Sequence, residues 1–364
     1  MQFTFHPHAD YLAHQAEIDA AIRRVLDSGH HILGPEVSAF EKEFAAAIGT
    51  AHCVGVANGT DAVHIALRAC GVGSGDVVAT VSHTAVATVA AIELSGASPL
   101  LVDIEPDTFT LDPGKLDAAL TANPGVKALV LVHIYGQPAS LASVEVARRH
   151  GLLVIEDCAQ SHGATLEGRT TGTWADAAAF SFYPTKNLAA IGDGGAVLTN
   201  SQTIAARVRE LRQYGWRQRY ISDSTGMNSR LDELQAAILR VKLGSLSASN
   251  QRRRDLAARY TAGLVGTSIT APVTRPGASH VFHQYVVRSP QRDELLAALN
   301  SRNIPAAIHY PQPVHSQPAY AGRVQHSDLS ETERACREIL SLPLHPHLSE
   351  EAVDFTINAV RELA

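Results

Sequence analysis

Cysteine, methionine and tryptophan are all scarce in this chain: four, two and two among 364 residues. The cysteines, Cys53, Cys70, Cys158 and Cys336, are scattered and form no CxxC pair. A structural zinc site needs closely paired thiolates, and a secreted disulfide framework needs a denser pattern in a shorter chain, so neither is indicated. Basic runs are missing too. The longest, Arg252-Arg253-Arg254, sits in a helical-looking stretch and reads as a solvated helix face. With a formal net charge of −6 and no basic stripe, a nucleic-acid partner is disfavoured. Apolar runs such as Ala128–Val132 are strand-sized, far below the roughly 20 residues that cross a bilayer. The opening Met-Gln-Phe-Thr-Phe-His-Pro-His lacks the basic and apolar regions of a signal peptide. No internal repeat and no low-complexity linker is visible. By elimination the chain reads as a soluble, cytoplasmic protein without a membrane partner.

What remains is an ordinary globular composition, 45% hydrophobic and 18% charged, long enough for about two domains. From about residue 15 to 245, helical periodicity alternates with short continuous apolar runs. Helices are predicted over Glu17–Leu26, Val37–Ile48, Thr60–Cys70, Val86–Ser95, Pro113–Thr121 and Ala139–His150. Strands are predicted at Val77–Val81, Leu100–Val102, Ala128–Val132, Leu152–Ile155 and Ala177–Tyr183. Continuous apolar strands between helices imply an α/β fold, with a mostly parallel sheet covered on both faces. Leu234–Thr261 reads as a long helical connector with a break near Gly244-Ser245. Beyond it, a strand (Val281–Val287), a helix (Asp293–Ser301) and a strand-like Ala306–Tyr310 suggest a smaller α+β unit. The expected division is 1–245 and 246–364.

Ligands of such sheets bind beyond the carboxyl ends of the strands, which directs attention to four places. Asn58-Gly59-Thr60 precedes a helix whose N-terminus offers free N–H groups and a positive dipole end to a phosphate; a simple helix cap would explain the same residues. Glu156-Asp157 closes the run Leu-Leu-Val-Ile, where a carboxylate can pair with a buried cationic ring nitrogen or merely cap a turn. Ser181 lies in the run Ala177–Tyr183, which leads into Pro184-Thr185-Lys186-Asn187. A lysine there could be an ordinary loop residue; if desolvated, it becomes a competent Schiff-base former. The following Gly192-Asp193-Gly194-Gly195 has neither the GxGxxG spacing nor the Gly-Lys-Ser/Thr ending of nucleotide motifs. Together these positions supply a phosphate nest, an acid for a pyridinium nitrogen and an amine, the three requirements of pyridoxal 5'-phosphate (PLP).

The segments ANGTDAVHIAL, VIEDCAQSHGA, AFSFYPTKNLAAIGDGGAVLTN and NSRLDELQAAIL resemble those of the DegT/DnrJ/EryC1/StrS family of sugar aminotransferases, over about Ile32 to His315. The resemblance implies a fold-type I PLP enzyme: a mostly parallel seven-stranded sheet between helices, a smaller C-terminal α+β domain, and a homodimer with shared active sites. It implies that Lys186 carries PLP as a Schiff base and then moves protons as base and acid. Gly59, Thr60 and Ser181 would hold the phosphate, Asp157 the ring nitrogen and Gln160 the hydroxyl side of the ring. Asn228 would reach the neighbouring subunit's cofactor, with Trp216, Arg219 and Tyr220 in a loop approaching the nucleotide-sugar. Tyr183, His309, Tyr310 and His315 would line the substrate end.

One departure from the family pattern is His83-Thr84-Ala85, where many relatives carry an aromatic that stacks on the ring. Ala85 cannot stack, so either the ring face is less covered or His83 supplies the plane. Leu188-Ala189-Ala190, where relatives often read Leu-Gly-Ala, adds only a methyl. The eighteen histidines show no ligand spacing, including His309, His315, His345 and His347, so no metal is expected; His133 reads as a supporting residue. The expected activity is transfer of an amino group from L-glutamate to a nucleotide-linked keto sugar. The forms KNLAAIGDGG and VHIYGQP resemble those of 3-keto-sugar relatives, implying a dTDP- or UDP-linked 3-keto substrate and a 3-amino product, with a 4-keto sugar the alternative. A sugar dehydratase would replace Lys186 by histidine, and a desulfurase would need a catalytic cysteine loop. A non-catalytic PLP-binding regulator is the alternative of another class; the presence of both Lys186 and Asp157 speaks against it.

Overall fold

The computed structural model describes residues 5–363. Three helices lead in: α1 (Pro7–Ala13), α2 (Gln15–Ser28) and α3 (Pro35–Ile48). Seven strands follow: β1 (His52–Val56), β2 (Val77–Val81), β3 (Ser98–Val102), β4 (Val126–Val132), β5 (Leu153–Asp157), β6 (Ala177–Ser181) and β7 (Gly195–Thr199). They assemble in the order β1-β7-β6-β5-β4-β2-β3. Pairing is parallel from β6 across to β3, while β7 runs antiparallel to both β6 and β1. The two-residue strand Gln325–His326 adds a short eighth member beside β3, satisfying part of what would be an open edge. Between and after the strands run α4 (Gly59–Ala69), α5 (Val86–Leu94), α6 (Pro113–Ala122), α7 (Leu141–Arg149), α8 (Gln202–Leu211), α9 (Glu233–Leu243) and α10 (Leu246–Gly263).

Two apolar layers explain why these strands read as unbroken hydrophobic runs. Side chains alternate across a strand, so Leu129, Leu131 and Val154 join the core on one face while Ala128, Val130 and Ile155 join the core on the other. Each fully buried Val, Leu or Ile contributes about 1.5–3 kcal/mol. The same alternation separates the two acids at the end of β5. Glu156 is fully buried and accepts N–H bonds from Gly172 (2.6 Å), Trp174 (2.7 Å) and Ala175 (3.1 Å). Asp157, one residue on, opens into a cavity at the sheet's carboxyl edge. Glu156 therefore organises the 172–175 turn, and Asp157 alone of the pair is available to a ligand.

From α10 onward the chain builds a further cluster around Leu256, Tyr260, Tyr285, Leu299, Leu340 and Val360. Its antiparallel pair is β8 (Tyr285–Arg288) with β9 (Ile339–Leu342), packed with α10, α11 (Arg292–Ser301) and α13 (Glu350–Leu363); α12 is Ser330–Glu338. The expected strand Val281–Val287 begins only at Tyr285. Phe282 takes φ +42°, and the N–H groups of Val281 and Gln284 go instead to the carbonyls of Gly136 and Tyr135. Ala306–Tyr310 is not a strand; it makes a single bridge, Ala307 to Ser341. The helical connector breaks at Gly244-Ser245 as its glycine suggested. Among the described residues, no helix is long and apolar enough to cross a membrane.

Glu156→Ala leaves three buried N–H groups without an acceptor. It is expected to lower the unfolding free energy by about 3–5 kcal/mol, read from urea midpoints.

Candidate active site

At the entry to α4 three chain segments meet with no space to spare. Asn58 caps the helix: its Oδ1 accepts from the Asp61 N–H (2.8 Å) and its carbonyl from the Ala62 N–H (3.1 Å). This leaves the first N–H groups, those of Gly59 and Thr60, for a ligand in the cavity that both residues line. A Cβ on Gly59 would fall 2.5 Å from Cβ of Ser181, and one on Gly195 would fall 2.3 Å from the Asn58 carbonyl oxygen. Glycine is therefore required at both positions, and Ser181, at the end of β6, is brought against the helix N-terminus. The assembly is a cradle for an anion, combining N–H groups, a hydroxyl and the positive end of the helix dipole.

Across the cavity, Asp157 is oriented by two donors, the Thr88 hydroxyl (2.8 Å, to Oδ2) and the Ala159 N–H (3.1 Å, to Oδ1). Thr88 in turn pairs with Thr84 (2.9 Å). Sequence reasoning passed over Thr88, although it closes the His83–Thr88 stretch in which Ala85 drew attention. Gln160 accepts the Tyr135 N–H on Oε1 (2.5 Å) and donates from Nε2 to the Tyr310 hydroxyl (3.2 Å). Lys186 follows a tight turn in which its N–H reaches the Tyr183 carbonyl (2.8 Å). Its neighbour Asn187 ties that loop to α10 and the C-terminal unit, donating to Asn250 Oδ1 (2.9 Å) and the Val281 carbonyl (3.0 Å). Lys186 as a residue is half-buried, but its amine is enclosed, and burial pushes it down to about 8 against the opposing pull of Asp157. Burial, with the Lys186 charge nearby, holds His309 down at about 4.

The cavity holds about 520 Å³, within the range of roughly 300–1,000 Å³ usual for small-molecule sites. It brings together Gly59, Thr60, Asp157, Gln160, Ser181, Tyr183 and Lys186. Tyr310 joins through Gln160, and burial raises its hydroxyl to about 12. His83 does not reach the cavity. Its Nε2 is engaged by the Tyr135 hydroxyl (2.7 Å) and its Nδ1 faces Cys336 Sγ (3.5 Å), so the role of stacking on a ring is withdrawn from it; Ala85 lines the wall instead. His315 is held by Ser82 (2.9 Å) and Glu333 (3.3 Å), outside the lining. His309 pairs with Ser341 (2.9 Å). Tyr220, 73% exposed, and Asn228, also exposed, lie off the cavity within this chain. His133, Glu156 and Cys158 place potential ligand atoms within 4.8 Å of one another. His133 is already committed on both nitrogens, accepting from the Ala139 N–H and donating to Glu156, so the trio is a hydrogen-bonded support.

An anion cradle, a carboxylate and a desolvated amine around one cavity fit PLP, and comparison with known proteins agrees. The sequence profile of the DegT/DnrJ/EryC1/StrS aminotransferase family matches residues 13–361. This chain belongs to that family. It is 49% identical to the dTDP-3-amino-3,4,6-trideoxy-alpha-D-glucose transaminase of Streptomyces venezuelae, over 98% of this chain and 94% of that protein. The crystal structure of S. venezuelae DesV, in complex with a ketimine intermediate, superimposes with a TM-score of 0.95 at 48% identity, covering 98% and 97% of the two chains. NtdA from Bacillus subtilis, solved with bound cofactor PMP, gives a TM-score of 0.90 at 30% identity over 96% of this chain and 82% of its own. The protein is a PLP-dependent aminotransferase of fold-type I architecture.

Two outcomes follow from this geometry. In cofactor-free protein, capture of PLP depends on the neutral amine, so its rate should rise with pH through about 8; a midpoint near the ordinary lysine value of 10.5 would contradict the enclosed amine. Thr88→Val keeps the shape but removes the donor to Asp157, and should weaken PLP retention about 5- to 30-fold, measured by absorbance titration.

Proposed function

We propose that the chain transfers an amino group from L-glutamate to a nucleotide-linked 3-keto sugar, giving a 3-amino sugar, with a dTDP-sugar favoured over a UDP-sugar. The observation that carries this reading is the convergence of Gly59, Thr60, Ser181, Asp157 and Lys186 on one cavity, in a chain about half identical to a transaminase named for a dTDP-3-amino sugar. The alternative, a 4-keto substrate, is an outcome of the test below.

When bound, PLP supplies an electron sink for the carbanion formed at the donor's α-carbon. The protein's residues do the rest. Gly59 and Thr60 bind the phosphate by backbone N–H groups and Ser181 by its hydroxyl. Asp157, aligned by Thr88, keeps the proton on the ring nitrogen, and Gln160 orients the ring from its hydroxyl side. Lys186 would hold the cofactor covalently, and its free Nζ would take the proton from the donor α-carbon and redeliver it. Its depressed basicity keeps a usable share of the neutral amine near neutral pH. Tyr183, 52% exposed on the cavity wall, would face the sugar, with Tyr310 reaching the site through Gln160.

The same reading makes the enzyme a cytoplasmic homodimer. Asn228 and the hairpin Trp216–Ser222 do not line their own cavity, and Asn228 and Tyr220 are exposed. Tyr220 stands out under the Arg219 guanidinium (4.9 Å), as a segment serving the partner's site would.

Purified protein is incubated with PLP, L-glutamate and a panel of dTDP- and UDP-linked 3-keto and 4-keto sugars, with products weighed by mass spectrometry. Amination of a 3-keto sugar alone is expected; amination of 4-keto sugars alone, or of none, refutes the assignment. Lys186→Ala should lose at least about 10²–10⁴-fold in turnover. Mixing Lys186→Ala with Asn228→Ala chains should restore some activity if each dimer builds one intact shared site; separate sites give no restoration.

A further inference from the structure

The strained residue nearest the cofactor cavity is Tyr135, and the established chemistry makes no use of it. It sits in a short turn after β4 with φ +59° and ψ 1°, left-handed backbone that costs a bulky side chain about 1–3 kcal/mol. Such a conformation persists only where its surroundings over-determine it. Here the Tyr135 N–H goes to Gln160 Oε1 (2.5 Å) and its carbonyl accepts from the Gln284 N–H (3.3 Å). Its hydroxyl donates to the His309 carbonyl and accepts from His83 Nε2. The ring itself is 3% exposed, edge-on to Phe109 and His83.

We propose that Tyr135 is a positioning residue that ties the cofactor-side Gln160 to the substrate-side His309-Tyr310 segment, with His83 fixing the direction in which its hydroxyl donates. The direction follows from counting protons. A carbonyl only accepts, so the single Tyr135 hydroxyl proton lies toward His309. His83 must then present Nε2–H to the Tyr135 oxygen, which leaves Nδ1 as a lone pair facing the Cys336 thiol at 3.5 Å. Burial supports this arrangement, holding His83 neutral at about 4 and pushing the Cys336 thiol up to about 12. The loop closes through Gln160, whose Nε2 donates to the Tyr310 hydroxyl. Four parts of the chain are thereby held in one register: the loop after β2, the loop after β4, Gln160 three residues beyond β5, and the His309-Tyr310 segment. The departure at His83 then has its own meaning: the imidazole acts one residue away from the cavity, through Tyr135, and not on a ring face.

The substrate side of this inference rests on the keto-sugar reading, so its test includes a measurement that needs no substrate. Tyr135→Phe keeps the ring and the backbone bond to Gln160 but removes the hydroxyl. In cofactor-free protein, amide hydrogen exchange at residues 305–311 should speed up at least about tenfold, with β4 and β5 unchanged. In the loaded enzyme, KM for the keto sugar should rise about 5- to 30-fold while PLP affinity stays within about twofold. His83→Leu should show a smaller effect of the same kind, His83→Gln should restore it by supplying an N–H, and the double variant should be no worse than Tyr135→Phe. Lowered thermal stability with unchanged exchange at 305–311 and unchanged KM would reduce Tyr135 to a packing residue and overturn the proposal. If wild-type protein aminates no keto sugar, the functional reading fails, and the exchange experiment still decides this one.

Discussion

Burial and charge pull in opposite directions on the Lys186 amine, and most of the molecule can be understood as holding that balance. Enclosure drags the amine toward neutrality, while Asp157 favours its protonated form. Neither influence survives alone. Without enclosure the lysine would be an ordinary surface cation; without the carboxylate a ligand's ring nitrogen would have no partner. Asp157 closes β5 and Lys186 sits in the loop five residues beyond the neighbouring β6, so strand pairing brings the carboxylate and that loop to the same edge of the sheet. Thr88 and the Ala159 N–H fix the carboxylate, and Asn187 fixes the loop that carries the amine.

That loop is also where the two halves of the chain meet. Asn187 is bonded to Asn250 on α10 and to Val281, and His283 Nδ1 pairs with the Asn187 side-chain Oδ1 (3.3 Å). On the opposite side of the cavity Gln160 reaches Tyr310. A displacement of the C-terminal unit would therefore be felt both at the loop carrying the Lys186 amine and at Gln160 on the cavity wall. The cluster around Tyr260 and Tyr285 is built from the chain after residue 245, while Val286, Ala335 and Ile339 pack into the core of the large sheet, so the two halves share apolar packing as well as these polar contacts.

The parallel sheet and its site were legible because they depend on short-range rules. Continuous apolar runs marked β2 to β6, and glycine or acid at a strand end marked the positions a ligand can approach. Glu156 and Asp157 could not be told apart as neighbours in sequence. Their separation depends on which face each takes, and that depends on the phase of β5 against the core. The stretches Val281–Val287 and Ala306–Tyr310 failed as strands for a related reason. Both are apolar enough, but the N–H groups of Val281 and Gln284 go to Gly136 and Tyr135, those of Ala306 and Ala307 go to the Asn300 side chain and the Ser341 carbonyl, and no local pattern records that. His83 was misplaced because a missing aromatic at Ala85 was assumed to need a substitute beside it. Thr88 went unseen because a threonine in an apolar helix has no distinctive signature.

The contact of Gly59 with Ser181, and of Gly195 with Asn58, has a consequence for how this architecture can diversify. No side-chain atom can be added where helix, β6 and β7 touch, so the backbone part of this anion cradle cannot be retuned by ordinary substitution. Side chains on the cavity wall away from that contact, such as Ala85 and Tyr183, are free to vary. A scaffold of this kind has one fixed anchor and one adjustable mouth. New sugars can be accommodated at the mouth while the chemistry at the anchor stays as it is.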